Sequence, residues 1–241
     1  MSWPTDNRSD PAMPDSVHEL DWDDIGQPRS RQFGDQFYSR EDGRSECAHV
    51  FIAGNDLPAR WHGSKQFHIA ELGFGTGLNF VETWRQWIAA RTGDQQLQFT
   101  SFEAYTMAAD DMARALQHWP ELSELAGDFI TKWRESGPDQ AIELDSQTSL
   151  KVESGQALER VSLWGESADA WYLDGFSPAK NPDMWSTELM QAVFDHTSPG
   201  GTFATYAAAG WVRRNLAAAG FAIERKPGFG SKREMMTGSK R

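Results

Sequence analysis

The chain has 241 residues, a net charge of −12 and a hydrophobic share of 39%, values that predict one globular domain of ordinary size with an acidic surface. Cys47 is the only cysteine, which excludes a disulfide framework within the chain and favours a reducing, cytoplasmic location. No apolar run has the length of a signal-peptide core or a membrane span, so we expect no membrane contact.

The first 62 residues are predicted to lie ahead of the main fold. Residues 1–30 are polar and acidic and show no hydrophobic period, so we interpret them as a flexible arm. Residues 31–62 are expected to form a small β element, because Asp42-Gly43 separates two apolar segments and this dipeptide is typical of hairpin turns. The main domain then covers residues 63–241.

This main domain alternates predicted strands and helices. The expected strands are 67–72, 97–103, a short strand or hairpin over 141–153, 170–173, 202–206, and a terminal hairpin of 221–226 with 233–237. The expected helices are 77–91, 107–118, 120–134, 156–164, one that starts at Pro182, and one that ends at Gly220. Such alternation predicts a mostly parallel sheet with helices on both faces, and ligands at the carboxyl ends of its strands.

The first strand of this domain runs into a glycine-rich turn. Glu71 is followed by Gly73, Gly75 and Gly77, and a helix begins directly afterwards. Such a turn presents backbone N–H groups to a nucleotide-like cofactor, although a tight structural turn explains the same glycines. The third glycine of a dinucleotide fingerprint would fall at residue 78, which is Leu. The spacing is instead that of the first motif of S-adenosylmethionine-dependent methyltransferases.

Two more carboxylates stand at strand ends. Glu103 ends the second strand. Its carboxylate either binds the two hydroxyl groups of a ribose or is solvated at the strand end, and both interpretations are equally favoured. Glu103 alone does not indicate which cofactor is bound. Asp174 follows three apolar residues and precedes Gly175, and we expect it to face an amine in the cleft. An aliphatic amine is mostly protonated at neutral pH, so the site has to orient it and let one proton leave. Asp174 either takes this proton or only orients the amine, and a turn-capping aspartate is the structural alternative.

The loop after Asp174 and the end of the chain carry cations. Lys180 and Asn181 either contact a phosphate or a base edge, or belong to an exposed loop. Residues 205–241 hold eight basic and two acidic residues on an otherwise acidic chain, an asymmetry that fits nucleic acid or plain solvated charge. The six histidines show no metal-ligand spacing, so we predict no metal site.

Several sequence motifs resemble one family closely. They are Tyr-Leu-Asp-Gly-Phe-Ser-Pro-Ala-Lys-Asn-Pro-Asp-Met-Trp at 172–185, Glu-Leu-Gly-Phe-Gly-Thr-Gly-Leu-Asn-Phe at 71–80, Ser-Phe-Glu at 101–103, His-Trp-Pro-Glu-Leu at 118–122, Gly-Trp-Val-Arg-Arg at 210–214 and Gly-Phe-Gly-Ser-Lys-Arg-Glu-Met at 228–235. They resemble the methyltransferase domain of the tRNA wobble-uridine modification enzyme MnmC and its stand-alone relative MnmD. The likeness extends over about residues 30–238.

The resemblance implies a fold, a reaction and a set of site residues. The implied fold is a class I S-adenosylmethionine-dependent methyltransferase, an α/β Rossmann-like domain with a seven-stranded, mostly parallel sheet that ends in an antiparallel hairpin. The implied reaction methylates the amine of 5-aminomethyl-(2-thio)uridine at the tRNA wobble position, giving 5-methylaminomethyl-(2-thio)uridine. Asp174 is the implied catalytic residue. The implied cofactor-binding residues are Glu71, Gly73, Phe74, Gly75, Thr76, Gly77, Asn79, Glu103, Gly155, Gln156 and Asp174. The implied substrate-binding residues are Tyr38, Phe176, Pro178, Lys180, Asn181, Lys232 and Arg233.

The resemblance also leaves alternatives open. Gln156 stands where the family typically has an acidic residue for the adenine, and its amide oxygen provides another acceptor. The two-domain relatives carry a flavin-dependent oxidase that makes the substrate. This chain has no second glycine-rich fingerprint, so we expect no flavin in it, whether it is a stand-alone enzyme or a fragment. The alternative functions are methylation of a small-molecule or protein amine, and a catalytically silent tRNA-binding homologue.

Overall fold

The N-terminal β element is present, but it lies earlier in the chain than predicted. The computed structural model describes residues 18–241, so the predicted arm over 1–17 lies outside the described residues. Strands β1 (Leu20–Trp22) and β2 (Pro28–Ser30) pair antiparallel. The carboxylate of Asp23 accepts from the backbone N–H groups of the turn between them, at 2.9 Å from Gln27. Residues 20–30 are therefore an ordered hairpin rather than a loose arm.

Residues 43–61 form helical segments joined by a turn over 54–56, so the hairpin predicted at Asp42-Gly43 is wrong. The segment forms α1 (Gly43–Cys47), a π-helical turn (Ala48–Ala53) and α2 (Leu57–Trp61). Asp42 caps α1, because its side chain accepts from Arg44 N at 3.1 Å. A Cβ atom on Gly43 would lie 2.7 Å from Cβ of Tyr38, so this glycine allows close packing rather than a turn.

In the described part of the chain, eight strands form the main sheet, one more than the seven that the resemblance implies, because the hairpin alternative over 141–153 is the one observed. In sheet order they are β5 (Ala141–Asp145), β6 (Thr148–Ser154), β4 (Gln96–Glu103), β3 (Gln66–Leu72), β7 (Ala168–Leu173), β8 (Thr197–Thr205), β10 (Glu234–Ser239) and β9 (Ala222–Pro227). The five strands from β6 to β8 run parallel, and β5, β10 and β9 are antiparallel to their neighbours. The extra strand β5 is made by a tight turn into β6, in which Asp145 Oδ1 accepts from Gln147 N at 2.7 Å.

The connecting helices cover both faces of the sheet, as strand–helix alternation predicts. They are α3 (Leu78–Ala90), α4 (Ala109–Leu116), α5 (Ser123–Ser136), α6 (Ala157–Leu163), α7 (Thr187–Asp195) and α8 (Gly210–Ala219). The helix predicted from Pro182 is divided, because Pro182–Trp185 is a 3-10 turn and Ser186 caps a new helix by accepting from Leu189 N at 3.3 Å. Gly220 ends α8 at φ +117, as predicted.

The central strands are buried on both faces, which holds their carboxyl ends in place. Neighbouring residues Trp171 and Tyr172 on β7 are both fully buried and belong to different apolar clusters on opposite sides of the sheet. The strand ends that carry Glu71, Glu103 and Asp174 are thus positioned by two packed layers. Within residues 18–241 no helix has the length and apolarity needed to cross a membrane.

Candidate active site

A cavity of about 970 Å³ opens at the carboxyl ends of the central strands. Gly73, Glu103 and Asp174 line it, and they follow or end β3, β4 and β7, which are neighbours in the sheet. The chain order reverses between β3 and β7, which is where open α/β sheets bind ligands. The topology therefore brings together residues that are about a hundred positions apart.

The glycine turn lies directly against the backbone that follows β7. Gly73 has φ +88, and a Cβ atom there would stand 2.2 Å from the carbonyl oxygen of Asp174. Gly77, at φ +76, begins α3, and a Cβ atom there would stand 3.0 Å from Phe129. Both positions favour glycine because φ is positive, and at Gly73 a side chain would also force the turn away from the end of β7.

The N–H groups of the turn are not bare, in contrast to the expectation from sequence. Phe74 N and Gly75 N donate to Glu103 Oε2 at 2.9 and 3.1 Å, and Tyr105 N donates to Oε1 at 2.8 Å. Burial raises the pKa of Glu103, while these backbone bonds oppose that shift. A carboxylate on the turn would repel a pyrophosphate, so the site disfavours a dinucleotide and suits a cationic cofactor.

One amide links the other two carboxyl groups. Asn79 Nδ2, at the start of α3, donates to Glu71 Oε1 at 2.9 Å and to Asp174 Oδ2 at 2.7 Å. Ser101 Oγ completes the contacts of Glu71 at 2.7 Å. Glu71 is fully buried, and this burial, together with the charge of Asp174, raises its pKa well above the ordinary value. Asn79 therefore orients Asp174 against the end of β3.

The carboxyl group of Asp174 has a pKa near neutral pH, so it can gain or lose a proton in this range. Loss of solvent raises its pKa from 3.8 to about 7. The bond from Asn79 lowers this pKa, Glu46 raises it and Lys232 lowers it. The Asp174 carboxyl group lines the open cavity, so a ligand in the cavity can contact it.

One side of the cavity is built by the end of β4 and the start of α6. Gly155 N donates to the carbonyl oxygen of Glu103 at 3.0 Å, and a Cβ atom on Gly155 would stand 2.7 Å from Arg160 Nε. Gln156 is exposed and lines the cavity beside Tyr105 and Leu158. Buried Thr76 lies in the turn below. These residues fit an S-adenosyl group. The Glu103 carboxylate suits the ribose hydroxyls, Leu158 and Gln156 suit the adenine, and the acidic Asp174 suits the positively charged sulfur.

The predicted substrate residues do not all lie in the cavity. Tyr38, Phe176, Asn181 and Lys232 line it. Pro178 and Arg233 lie in an adjacent groove that Lys232 also lines. Lys180 contacts neither, since its ammonium is bound by the carbonyl oxygen of Gly34 at 2.6 Å and by Asp35 Oδ1 at 3.0 Å. Lys180 therefore ties the loop after Asp174 to the N-terminal segment.

An aromatic group lines the cavity, of which the sequence predicted Phe176 and missed Phe33, Phe37 and His18. Phe33 and Phe176 stack with centroids 4.8 Å apart, and Phe37 meets Phe176 edge-on at 5.2 Å. His18 packs against Phe37 at 5.1 Å, and its burial lowers its pKa to about 4. Phe33 and Phe37 fall within residues 31–62, the predicted β element, and their spacing along the chain gives no signal of a shared surface.

Two further observations concern groups of metal-ligating side chains and the thiol of Cys47. Among residues 18–241 no group of three or more His, Cys, Asp or Glu side chains is placed to hold a metal ion. Cys47 is 1% exposed, and burial with the nearby carboxylates raises the pKa of its thiol well above the ordinary value. The Cys47 thiol is therefore not activated as a nucleophile.

Comparison with known proteins gives consistent matches. The model of a family described as S-adenosyl-L-methionine-dependent methyltransferases matches residues 120–241. A protein of Chromohalobacter salexigens named "tRNA 5-methylaminomethyl-2-thiouridine biosynthesis bifunctional protein MnmC" is 44% identical over 91% of this chain and 32% of its own length. Its namesake in Marinobacter nauticus is 43% identical over 95% of this chain and 37% of its own length. The chain thus spans about a third of the length of these relatives.

A solved structure supports the fold. MNMC2 from Aquifex aeolicus superposes with a TM-score of 0.74 at 22% identity, covering 94% of this chain and 72% of the other. The family model covers just over half of the chain. The resemblance to the methyltransferase domain of MnmC is confirmed by these matches. The chain belongs to the family of S-adenosyl-L-methionine-dependent methyltransferases.

Proposed function

We propose that this chain methylates the side-chain amine of 5-aminomethyl-(2-thio)uridine at the wobble position of tRNA, giving 5-methylaminomethyl-(2-thio)uridine. The proposal takes its substrate from the relatives named for this biosynthesis, which are 43–44% identical over more than nine-tenths of the chain. The observation in the structure that carries it is Asp174, a carboxyl group with a pKa of about 7 that lines an open cavity.

The residues of the cavity suit an amine that attacks a methyl group. S-adenosylmethionine, when bound, supplies a methyl group on a positively charged sulfur. A primary alkylamine is mostly protonated at neutral pH and has to lose one proton before its lone pair is available. Asp174 accepts this proton in its ionised form, and Asn79 keeps its carboxylate oriented at 2.7 Å. The glycine turn and the Glu103 carboxylate position the cofactor beside it.

The aromatic side chains that line the cavity suit a nucleotide base that is not stacked on its neighbours in the tRNA. Single-stranded bases bind proteins by stacking on aromatic rings, and the wobble base lies in an unpaired loop of tRNA. Phe33 and Phe176 provide such rings in the lining of the cavity. We therefore assign base stacking to this pair.

Replacing Phe33 with alanine should lower kcat/KM for tRNA by roughly ten- to a hundredfold, because stacking of one base contributes about 1–3 kcal/mol. The affinity for S-adenosylmethionine should stay unchanged. Steady-state methylation and cofactor titration measure both values. Leu163→Ala is the control, since Leu163 is 74% exposed and is not part of the cavity lining. An unchanged kcat/KM in Phe33→Ala would remove the assigned stacking role.

The basic end of the chain supplies contacts to phosphate. Arg233 is exposed in the groove beside the cavity, whereas the ammonium of Lys232 is paired with Glu46 at 2.7 Å. Arg233→Ala should weaken tRNA binding and reduce the slope of log K against log salt by about 0.7–0.9. Lys65→Ala, at the amino end of β3, should change neither. Filter binding over a salt series tests this, and equal slopes would contradict a phosphate contact at Arg233.

The proposed substrate requires a preceding oxidation. The relatives are named bifunctional and are about three times as long as this chain. We propose that a flavin-dependent oxidase, on the same or another polypeptide, removes the carboxymethyl group of a carboxymethylaminomethyl precursor. The aminomethyl product then enters the cavity described here.

The decisive experiment offers labelled S-adenosylmethionine and tRNA from cells that lack this methylation. Mass analysis of the digested nucleosides should show one added methyl group on 5-aminomethyl-(2-thio)uridine. Transfer to free amines or proteins without transfer to tRNA would favour another amine substrate. Cofactor and tRNA binding without any transfer would indicate a silent homologue.

A further inference from the structure

An ammonium group is already bound inside the substrate half of the cavity. Lys232, from the loop between β9 and β10, places its Nζ 2.7 Å from Glu46 Oε1 and 3.9 Å from the centre of the Tyr206 ring. The Glu46 side chain is only 10% exposed. A carboxylate on one side and an aromatic face on another are the groups that bind alkylammonium ions. We call Glu46 and Tyr206 the ammonium cage.

The ammonium cage is rigid and lies close to the reacting carboxyl. Ser39 N donates to Glu46 Oε2 at 3.1 Å, and the Tyr206 hydroxyl donates to the carbonyl oxygen of Gly175 at 2.5 Å. Gly175 is the residue directly after Asp174. Glu46 and Lys232 also shift the pKa of Asp174 in opposite directions, so both act on it through space. All of these side chains line one cavity.

We propose that the ammonium cage binds the ammonium group of the substrate, and that Lys232 fills the cage until the substrate displaces it. This inference rests on the proposed methylation of an aminomethyl group. The substrate side chain ends in a methylene and a primary ammonium, which is the chemistry of the lysine terminus. When the substrate ammonium replaces the Lys232 ammonium, Glu46 stays paired with a cation. The exchange therefore never leaves the buried Glu46 carboxylate without a partner.

The displaced Lys232 ammonium and the substrate ammonium each have a binding partner after the exchange. Lys232 also lines the groove that contains Arg233, so the displaced ammonium reaches a surface where a tRNA phosphate would bind. The substrate ammonium in the cage lies beside Asp174, which accepts the proton that must leave. The cage also selects the substrate, because Glu46 repels the carboxylate of a carboxymethylaminomethyl precursor.

The test compares binding of two tRNAs of the same sequence, one with 5-aminomethyluridine at the wobble position and one with uridine. Contacts to phosphate cancel in the ratio of the two affinities, which isolates the ammonium. The wild type should prefer the aminomethyl tRNA by about five- to tenfold, a modest factor because Lys232 competes. Glu46→Gln should reduce this ratio to about one. Lys232→Met should increase it several-fold, since the competitor is gone.

The matched control is Glu153→Gln, which breaks the Lys151–Glu153 pair, a lysine–carboxylate contact of 2.6 Å with similar exposure outside the cavity. It should leave the ratio unchanged, and all variants should bind S-adenosylmethionine like the wild type. A preference that persists in Glu46→Gln, or that is lost in Lys232→Met, would overturn the cage. A wild type that methylates no tRNA would instead reject the proposed function itself.

Discussion

Replacing Asp174 with asparagine should reduce kcat for methyl transfer by roughly 10²- to 10⁴-fold, the range expected when a positioned proton acceptor is removed. Asparagine keeps the size of the side chain and an oxygen for the bond from Asn79, so the turn at Gly73 should stay in place. The affinity for S-adenosylmethionine should therefore change by no more than about threefold. Single-turnover methylation and calorimetric titration of the cofactor separate the two effects.

The pH profile gives the same prediction a second test. The pKa of Asp174 is about 7, so kcat/KM of the wild type should rise as the pH increases through 7 and the carboxylate forms. This limb should be missing from the residual activity of Asp174→Asn. Equal rates for variant and wild type, or a wild-type rate independent of pH between 6 and 8, would contradict a role in proton removal.

The contribution of Asp174 to the folding stability of the protein should fall as the pH rises, in contrast to kcat/KM, which should increase. The folded-state pKa of Asp174 lies above the unfolded value, so its contribution to stability is present below about pH 4 and is lost as the pH rises through about 7. Asp174→Asn should therefore be more stable than the wild type at pH 8, by about 1–3 kcal/mol, and the difference should vanish towards pH 4. Urea unfolding at the two pH values measures this, and a variant less stable at pH 8 would contradict it.

Gly73→Ala should abolish cofactor binding and lower the free energy of unfolding by about 2–4 kcal/mol. The backbone at φ +88 disfavours any side chain, and the new Cβ atom would stand 2.2 Å from the carbonyl oxygen of Asp174. This oxygen is backbone and does not rotate away, so either the turn or the end of β7 has to move. Both movements displace the turn from Asp174 and Glu103.

Gly93→Ala separates the two causes. Gly93 also has a positive φ, +58, but nothing lies within 4 Å of its added Cβ atom. Its alanine variant should lose only about 1–2 kcal/mol of stability and bind S-adenosylmethionine normally. If Gly73→Ala bound the cofactor as well as Gly93→Ala does, close contact with β7 would not be the reason for glycine at position 73.

Most of the main fold followed from local patterns. Short apolar runs predicted the buried strands, and Gly220 predicted the end of α8, as observed. The errors lie where two local signals compete. Asp42-Gly43 is typical of a hairpin and also of a helix cap, and contact of Gly43 with Tyr38 favours the helix.

The sequence by itself determined the family, the glycine turn and the carboxylate after β7, because these depend on neighbouring residues and strand ends. Only the tertiary structure decided how the part of the cavity around Lys232 is built. Glu46, Tyr206 and Lys232 come from α1, the end of β8 and the loop before β10, and they meet through packing of the N-terminal helices against the terminal hairpin. Such contacts depend on long-range packing, which leaves no spacing or period along the chain.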